Sequence, residues 1–261
     1  MVLSRLRSIS EKILRPAANL AIKLGITPNQ ATLLGFFVSI IAAGVIFLYP
    51  IWPYFLVLCA GLLLLAGYFD ALDGAIARNS HQITAFGGFL DSVLDRYADA
   101  ILIGCIILAG LCVPWIGLIA IIGTLLVSYT RARAEAANGE NVGGKKMAVG
   151  IAERGERMLL LMAVFALQGI PELTMWVKYP QWGYVGIGII ILAILTHITV
   201  IHRIIHALRN LPESPQEPPE TEPEDTQEDV VVKSEEIVSA PEAVVRASAA
   251  TSKKSENIIN L

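Results

Sequence analysis

The chain has 261 residues, 54% hydrophobic and only 16% charged, which is too apolar for an ordinary soluble domain of this length and is expected of a membrane protein. Its net charge of −3 averages two unlike parts: residues 1–211 hold 16 Lys and Arg against 11 Asp and Glu, and residues 212–261 hold 4 against 12, so the body is +5 and the tail −8. Cys59, Cys105 and Cys112 sit in apolar stretches without metal-ligand spacing, which excludes a disulfide framework or a zinc site, and nothing points to a nucleic-acid partner.

In residues 1–25, Leu3, Leu6, Ile9, Ile13 and Leu14 recur at spacings of three and four with Arg5, Arg7, Lys12 and Arg15 between them, the pattern of an amphipathic helix lying on an anionic membrane surface. Charges throughout Ser4 to Lys23 argue against a cleavable signal. Asn29 to Tyr49 is a run of 21 uncharged residues, enough to cross a hydrocarbon core of roughly 30 Å. Ile51 to Phe69 follows and stops at Asp70-Ala-Leu-Asp73. Ala98–Cys112, Trp115–Tyr129, Met158–Ile170 and Trp182–Ile201 complete six expected spans in an all-α integral membrane domain, residues 26–211. The stretches Ala98–Cys112 and Met158–Ile170 are short, and cross only if their helices continue into the charged segments beside them. Arg and Lys gather at one set of span ends, which places both termini in the cytoplasm by the positive-inside rule. Residues 212–261 hold six prolines and 12 acidic residues in 50, the composition of a disordered cytoplasmic tail.

The chemistry concentrates where the second span ends. Asp70 and Asp73 are i to i+3, and Asp91 and Asp95 are i to i+4, so each pair shares one helix face. The short connection Asn79 to Phe86 makes the two helices antiparallel neighbours with the pairs facing across a narrow gap. Four converging carboxylates at membrane depth call for a divalent metal, and oxygen-only ligation favours Mg²⁺, Mn²⁺ or Ca²⁺. Gly74 and Gly87 permit close approach, and Arg78 offers a fork for phosphate oxygens. Carboxylate-held metals beside an arginine suit displacement at phosphorus. Asp99, one turn beyond Asp95, either orders the metal shell or caps a polar seam.

These residues spell D-x-x-D-G-x-x-A-R-x8-G-x3-D-x3-D with every fixed position present, and over about residues 26–209 the chain resembles the CDP-alcohol phosphatidyltransferase family. The resemblance implies six transmembrane helices, a homodimer and an active site at the cytoplasmic edge of a cell membrane. It also implies two Mg²⁺ or Mn²⁺ ions on Asp70, Asp73, Asp91 and Asp95, with Asp95 as general base. Pro28, Asn29, Gln30, Ala31, Gly74, Arg78 and Thr84 are implied contacts for a CDP-lipid, CDP-diacylglycerol or CDP-archaeol. An alcohol hydroxyl then attacks the phosphorus next to the lipid and expels CMP.

The signature does not choose the alcohol. Ser128 to Glu135 and Gly150 to Arg157 resemble the phosphatidylinositol-phosphate and archaetidylinositol-phosphate synthases, which use inositol phosphate, and an arginine-rich pocket suits an anionic acceptor. Arg154 and Arg157, i to i+3 on a helix whose charged first turn must descend toward the membrane, are the preferred pocket residues, followed by Arg133 and Arg203. Glycerol 3-phosphate is the alternative acceptor. A cation carrier or channel is the reading from a different class. Gly139 to Lys146 only partly mimics a phosphate-binding loop and lacks its final Ser or Thr, while His202 and His206 lack a third metal ligand.

Overall fold

The computed structural model describes residues 14–137, 153–175 and 177–210; the periodic residues Leu3 to Ile13, the segment Gly139 to Lys146 and the 212–261 tail lie outside them. Among the described residues every regular element is helical. The first helix, α1, covers residues 14–23. Gly25, at φ 75°, ends it with Ile26 N–H donating to the Ala21 carbonyl and Gly25 N–H to that of Ile22, a closure that favours a residue without Cβ. Leu14, Ala18 and Ala21 of α1 pack on Ala31, Leu72, Ala75 and Ile76, so α1 is seated against the helix that carries Asp70 and Asp73.

Thr27 caps α2 (Pro28–Val45), whose first residue is the proline such a start favours. There the Gln30 Oε1 accepts from Thr27 N–H at 2.9 Å, closing a reciprocal capping box. Then come α3 (Phe55–Asn79), α4 (Ala85–Leu108), α5 (Pro114–Ala137), α6 (Arg154–Gln168), the short α7 (Pro171–Thr174) and α8 (Tyr184–Asn210). Helix α3 runs through Asp70 and Asp73 without a break, and α4 starts 13 residues before its apolar stretch begins at Ala98. Both therefore carry their carboxylates on regular helix.

Among the described residues four helices are long and apolar enough to cross a membrane: Pro28–Leu48, Phe55–Asn79, Pro114–Ala134 and Tyr184–Arg209. Helix α4 has the length at 24 residues, but its first half carries Asp91, Asp95, Arg96 and Asp99. Helix α6 has 15 residues, or about 22 Å of rise.

The long helices pack in the order α2, α3, α6, α8, α5, α4 and back to α2. Helices α3 and α4, expected to face each other across a narrow gap, do not pack on one another, and α2 stands against both. The physical reason lies in α2, whose buried residues Ala31, Gly35, Ser39, Ala42 and Ala43 are all small and let two helices approach it. The 80–84 connection joins the helix ends, with His81 in the left-handed region at φ 56°, while the shafts stand apart. Ile46, Leu56, Leu63, Ile103, Ile106, Phe165, Ile189 and Leu192 form one apolar core between the helices. The polar groups described next lie at the end where α3 finishes and α4 and α6 begin.

Candidate active site

Asp70 from α3 and Asp91 and Asp95 from α4 bring one carboxylate oxygen each to within 4.8 Å of one another. The gap that α2 holds open between the helices is thus closed by side chains alone. Asp91 Oδ1 is buried and has no hydrogen-bond partner among the described residues. A buried carboxylate oxygen left unpaired is costly, and an oxygen-only set of three carboxylates is a fitting donor set for Mg²⁺ or Mn²⁺. No other cluster of His, Cys, Asp or Glu among the described residues has such a geometry. Asp73, expected as an equal member, is buried and turned toward α2, where Thr32 Oγ1 donates to its Oδ2 at 2.7 Å.

Arg154, the first residue of α6, pairs with Asp70 and, at 2.9 Å, with Asp95 Oδ1. One guanidinium therefore ties α3, α4 and α6 together and offsets part of the local negative charge. Deeper on α6, Arg157 Nη2 meets Asp99 Oδ2 at 2.6 Å.

Three cavities open around this cluster and share its residues as walls. The first, about 330 Å³, lies at the start of α2 and α4 and is lined by Pro28, Asn29, Thr32, Asp73, Gly74, Arg78, Gln82, Thr84, Gly87 and Asp91, among others. Thr84 caps α4, its hydroxyl accepting from Gly87 N–H at 3.0 Å, so the helix start faces the cavity. Five expected nucleotide-side residues, Pro28, Asn29, Gly74, Arg78 and Thr84, meet here. Gln30 and Ala31 do not: Gln30 is engaged in the capping box, and Ala31 is buried under α1.

The second cavity, about 440 Å³, is polar and lies between α4, α5, α6 and α8. Arg131, Arg154, Arg157 and Arg203 line it together with Arg96, Ser128, Asp95, Asp99 and Glu153. Arg203 is buried and donates to the Val127 carbonyl across the α5–α8 contact. Arg133 is exposed and absent from the lining, and Arg131 takes its place, because Val127, Ser128, Arg131 and Ala132 form one face of α5. Sequence reasoning had a signal for this in the i to i+3 step from Ser128. For Thr32 the signal was weaker, being only its position one turn after Pro28.

The third cavity, about 510 Å³, is an apolar groove between α3 and α6 lined by Leu63, Leu64, Gly67, Tyr68, Met158, Leu159 and Met162, with Asp70 and Arg154 at its polar end. A polar slot, an arginine-rich chamber and a greasy groove meeting at three carboxylates suit a reaction between an amphiphile and a small anion.

The profile of the CDP-alcohol phosphatidyltransferase family matches residues 25–184. The chain is 38% identical over 212 residues to the archaetidylinositol phosphate synthase of Pyrococcus horikoshii, covering 80% of this chain and 98% of that protein. It is 31% identical over 231 residues to the phosphatidylinositol phosphate synthase of Mycolicibacterium smegmatis, covering 85% and 96%. Among solved structures it resembles the Mycobacterium tuberculosis phosphatidylinositol phosphate synthase with CDP-DAG bound, at TM-score 0.61 and 27% identity over 77% of this chain and 96% of that one. The same enzyme in complex with manganese and citrate matches at TM-score 0.61 and 28% identity, over 77% and 90%.

Proposed function

The chain belongs to the CDP-alcohol phosphatidyltransferase family, and from that premise we propose that it transfers a phosphatidyl-type group from a CDP-linked lipid to a hydroxyl of inositol phosphate, releasing CMP. The observation that carries the acceptor is the chamber of about 440 Å³ in which Arg131, Arg154, Arg157 and Arg203 converge beside Asp95. Guanidinium groups suit a phosphate monoester, and their neighbour Asp95 is the one carboxylate that borders both this chamber and the cluster.

Asp70, Asp91 and Asp95, with Asp73 beside them, are the residues that would hold Mg²⁺ or Mn²⁺, two ions in the family's manner. Bound there, such an ion would supply positive charge to offset that of the pyrophosphate and the departing CMP. Arg78, Thr84, Asn29 and the close approach at Gly74 and Gly87 hold the nucleotide, and the α3–α6 groove takes the lipid chains. The arginine chamber orients the acceptor so that its hydroxyl oxygen bonds to the phosphorus next to the lipid as the bond to CMP breaks. Asp95 accepts the hydroxyl proton. In this reading α4 and α6 also cross the bilayer, making six spans in a homodimer of the cell membrane with both termini cytoplasmic; the basic span ends support that orientation. The carrier reading fits less well, since a transport path needs polar groups at successive depths and here the carboxylates gather at one end of the bundle.

The test supplies purified protein with CDP-diacylglycerol or CDP-archaeol, Mg²⁺ and a panel of labelled acceptors. Inositol phosphate should enter the lipid fraction with stoichiometric CMP. Incorporation of glycerol 3-phosphate but not inositol phosphate would overturn the choice of acceptor.

The nucleotide side has its own test. A Cβ added at Gly87 would stand 3.0 Å from Thr84 Oγ1 and 3.1 Å from Asn29 Oδ1, two walls of the first cavity. Gly87→Ala should raise the KM for the CDP-lipid about tenfold, the order of one lost polar contact, and leave the acceptor KM unchanged. Steady-state kinetics with each substrate varied in turn checks the split.

A further inference from the structure

The arginine chamber contains a carboxylate that the family signature does not include. Asp99 lines it and meets Arg157 at 2.6 Å, with the two side chains 13% and 6% exposed. We propose that Asp99 is a positioning residue for the acceptor: it holds the Arg157 guanidinium at a fixed offset from Asp95, so that the acceptor's phosphate is anchored where its hydroxyl reaches the reacting phosphorus. The inference rests on the reading of this chamber as the acceptor site.

Charge complementarity is the first argument. A carboxylate in the wall of a chamber built for an anion repels its ligand unless a cation consumes it, and Asp99 is consumed by Arg157. Topology is the second. Helices α4 and α6 are not packed backbone to backbone, and Asp95–Arg154 and Asp99–Arg157 are side-chain bridges that reach from one to the other. The bridges rise in step, i to i+4 on α4 and i to i+3 on α6. Their separation is therefore set by about one helical turn, roughly 5 Å. Asp99 also lies outside the trio of carboxylates that can hold a metal, which separates its work from theirs.

The experiment uses the full-length protein in detergent or nanodiscs and compares Asp99→Ala, Asp99→Asn, Arg157→Ala and the double variant. Asp99→Ala should raise the KM for inositol phosphate about tenfold, the order that a coupled charged pair transmits, with kcat at saturating acceptor and the KM for the CDP-lipid within about twofold. Asp99→Asn keeps an oxygen acceptor in place and should show a smaller rise in the same KM; it carries the test by itself where the alanine variant does not fold. In the Arg157→Ala background, Asp99→Ala should add nothing. A fall in kcat without a change in acceptor KM, full additivity with Arg157→Ala, or a change in Mn²⁺ affinity overturns the proposal. An unchanged acceptor KM in Arg157→Ala alone would instead overturn the assignment of the chamber.

Discussion

Asp95→Asn should lower turnover by about 10²- to 10⁴-fold, the range a positioned general base contributes, while leaving CDP-lipid binding nearly intact. The substitution keeps the size of the side chain and an oxygen that can still accept from Arg154, which now lies 2.9 Å from Asp95 Oδ1. It removes the negative charge and the capacity to take a proton. Asp95 is suited to the role by location: it alone among the cluster carboxylates lines the arginine chamber, where the acceptor hydroxyl would arrive. The effect depends on holding the hydroxyl and the carboxylate together in one geometry. Release of CMP and incorporation of labelled inositol phosphate measure turnover, and equilibrium binding of a CDP-lipid measures the ground state. A variant retaining half the wild-type rate would remove Asp95 from proton transfer. A rate loss matched by an equal loss of CDP-lipid affinity would assign it to donor binding instead.

What the sequence made legible was whatever depends on spacing along a single helix. Asp91 and Asp95 are i to i+4 on regular helix, and they do present their carboxylates together. The continuation of α4 through charged residues was equally readable, because a stretch as short as Ala98–Cys112 had no other way to span. Relations between helices were not readable. The short connection implied carboxylates facing across a gap, as they do, but not that the small buried face of α2 lets that helix stand against both α3 and α4. For the same reason the bond between Asp73 and Thr32 was not readable: Thr32 lies 41 positions away in sequence, and only the α2–α3 contact brings them together. The Arg157–Asp99 bridge spans 58 positions between helices without a packed interface. The capping box that engages the Gln30 side chain with Thr27 N–H at 2.9 Å was not read from the sequence either.

The separation of Asp73 from the other carboxylates yields the second large effect. Asp91→Ala should weaken Mn²⁺ binding by at least ~100-fold, about 2.8 kcal/mol, whereas Asp73→Ala should weaken it by only about tenfold. Asp91 contributes an oxygen to the trio that lies within 4.8 Å, and its Oδ1 is buried with no other partner among the described residues. Removing it takes one full charge and one donor from a set of three. Asp73 already has a partner in Thr32 at 2.7 Å and lies outside that trio, so it acts on the ion through the field and through orientation. Thr32→Val releases Asp73 from α2 while preserving side-chain volume, and should change Mn²⁺ affinity less than Asp73→Ala does. Electron paramagnetic resonance of free Mn²⁺ titrated against purified protein reads affinity without reference to activity. Equal losses in Asp73→Ala and Asp91→Ala would return Asp73 to the trio as a ligand of the same rank. Unchanged affinity in Asp91→Ala would mean that the carboxylates are balanced by Arg154 alone, whose guanidinium already spans Asp70 and Asp95.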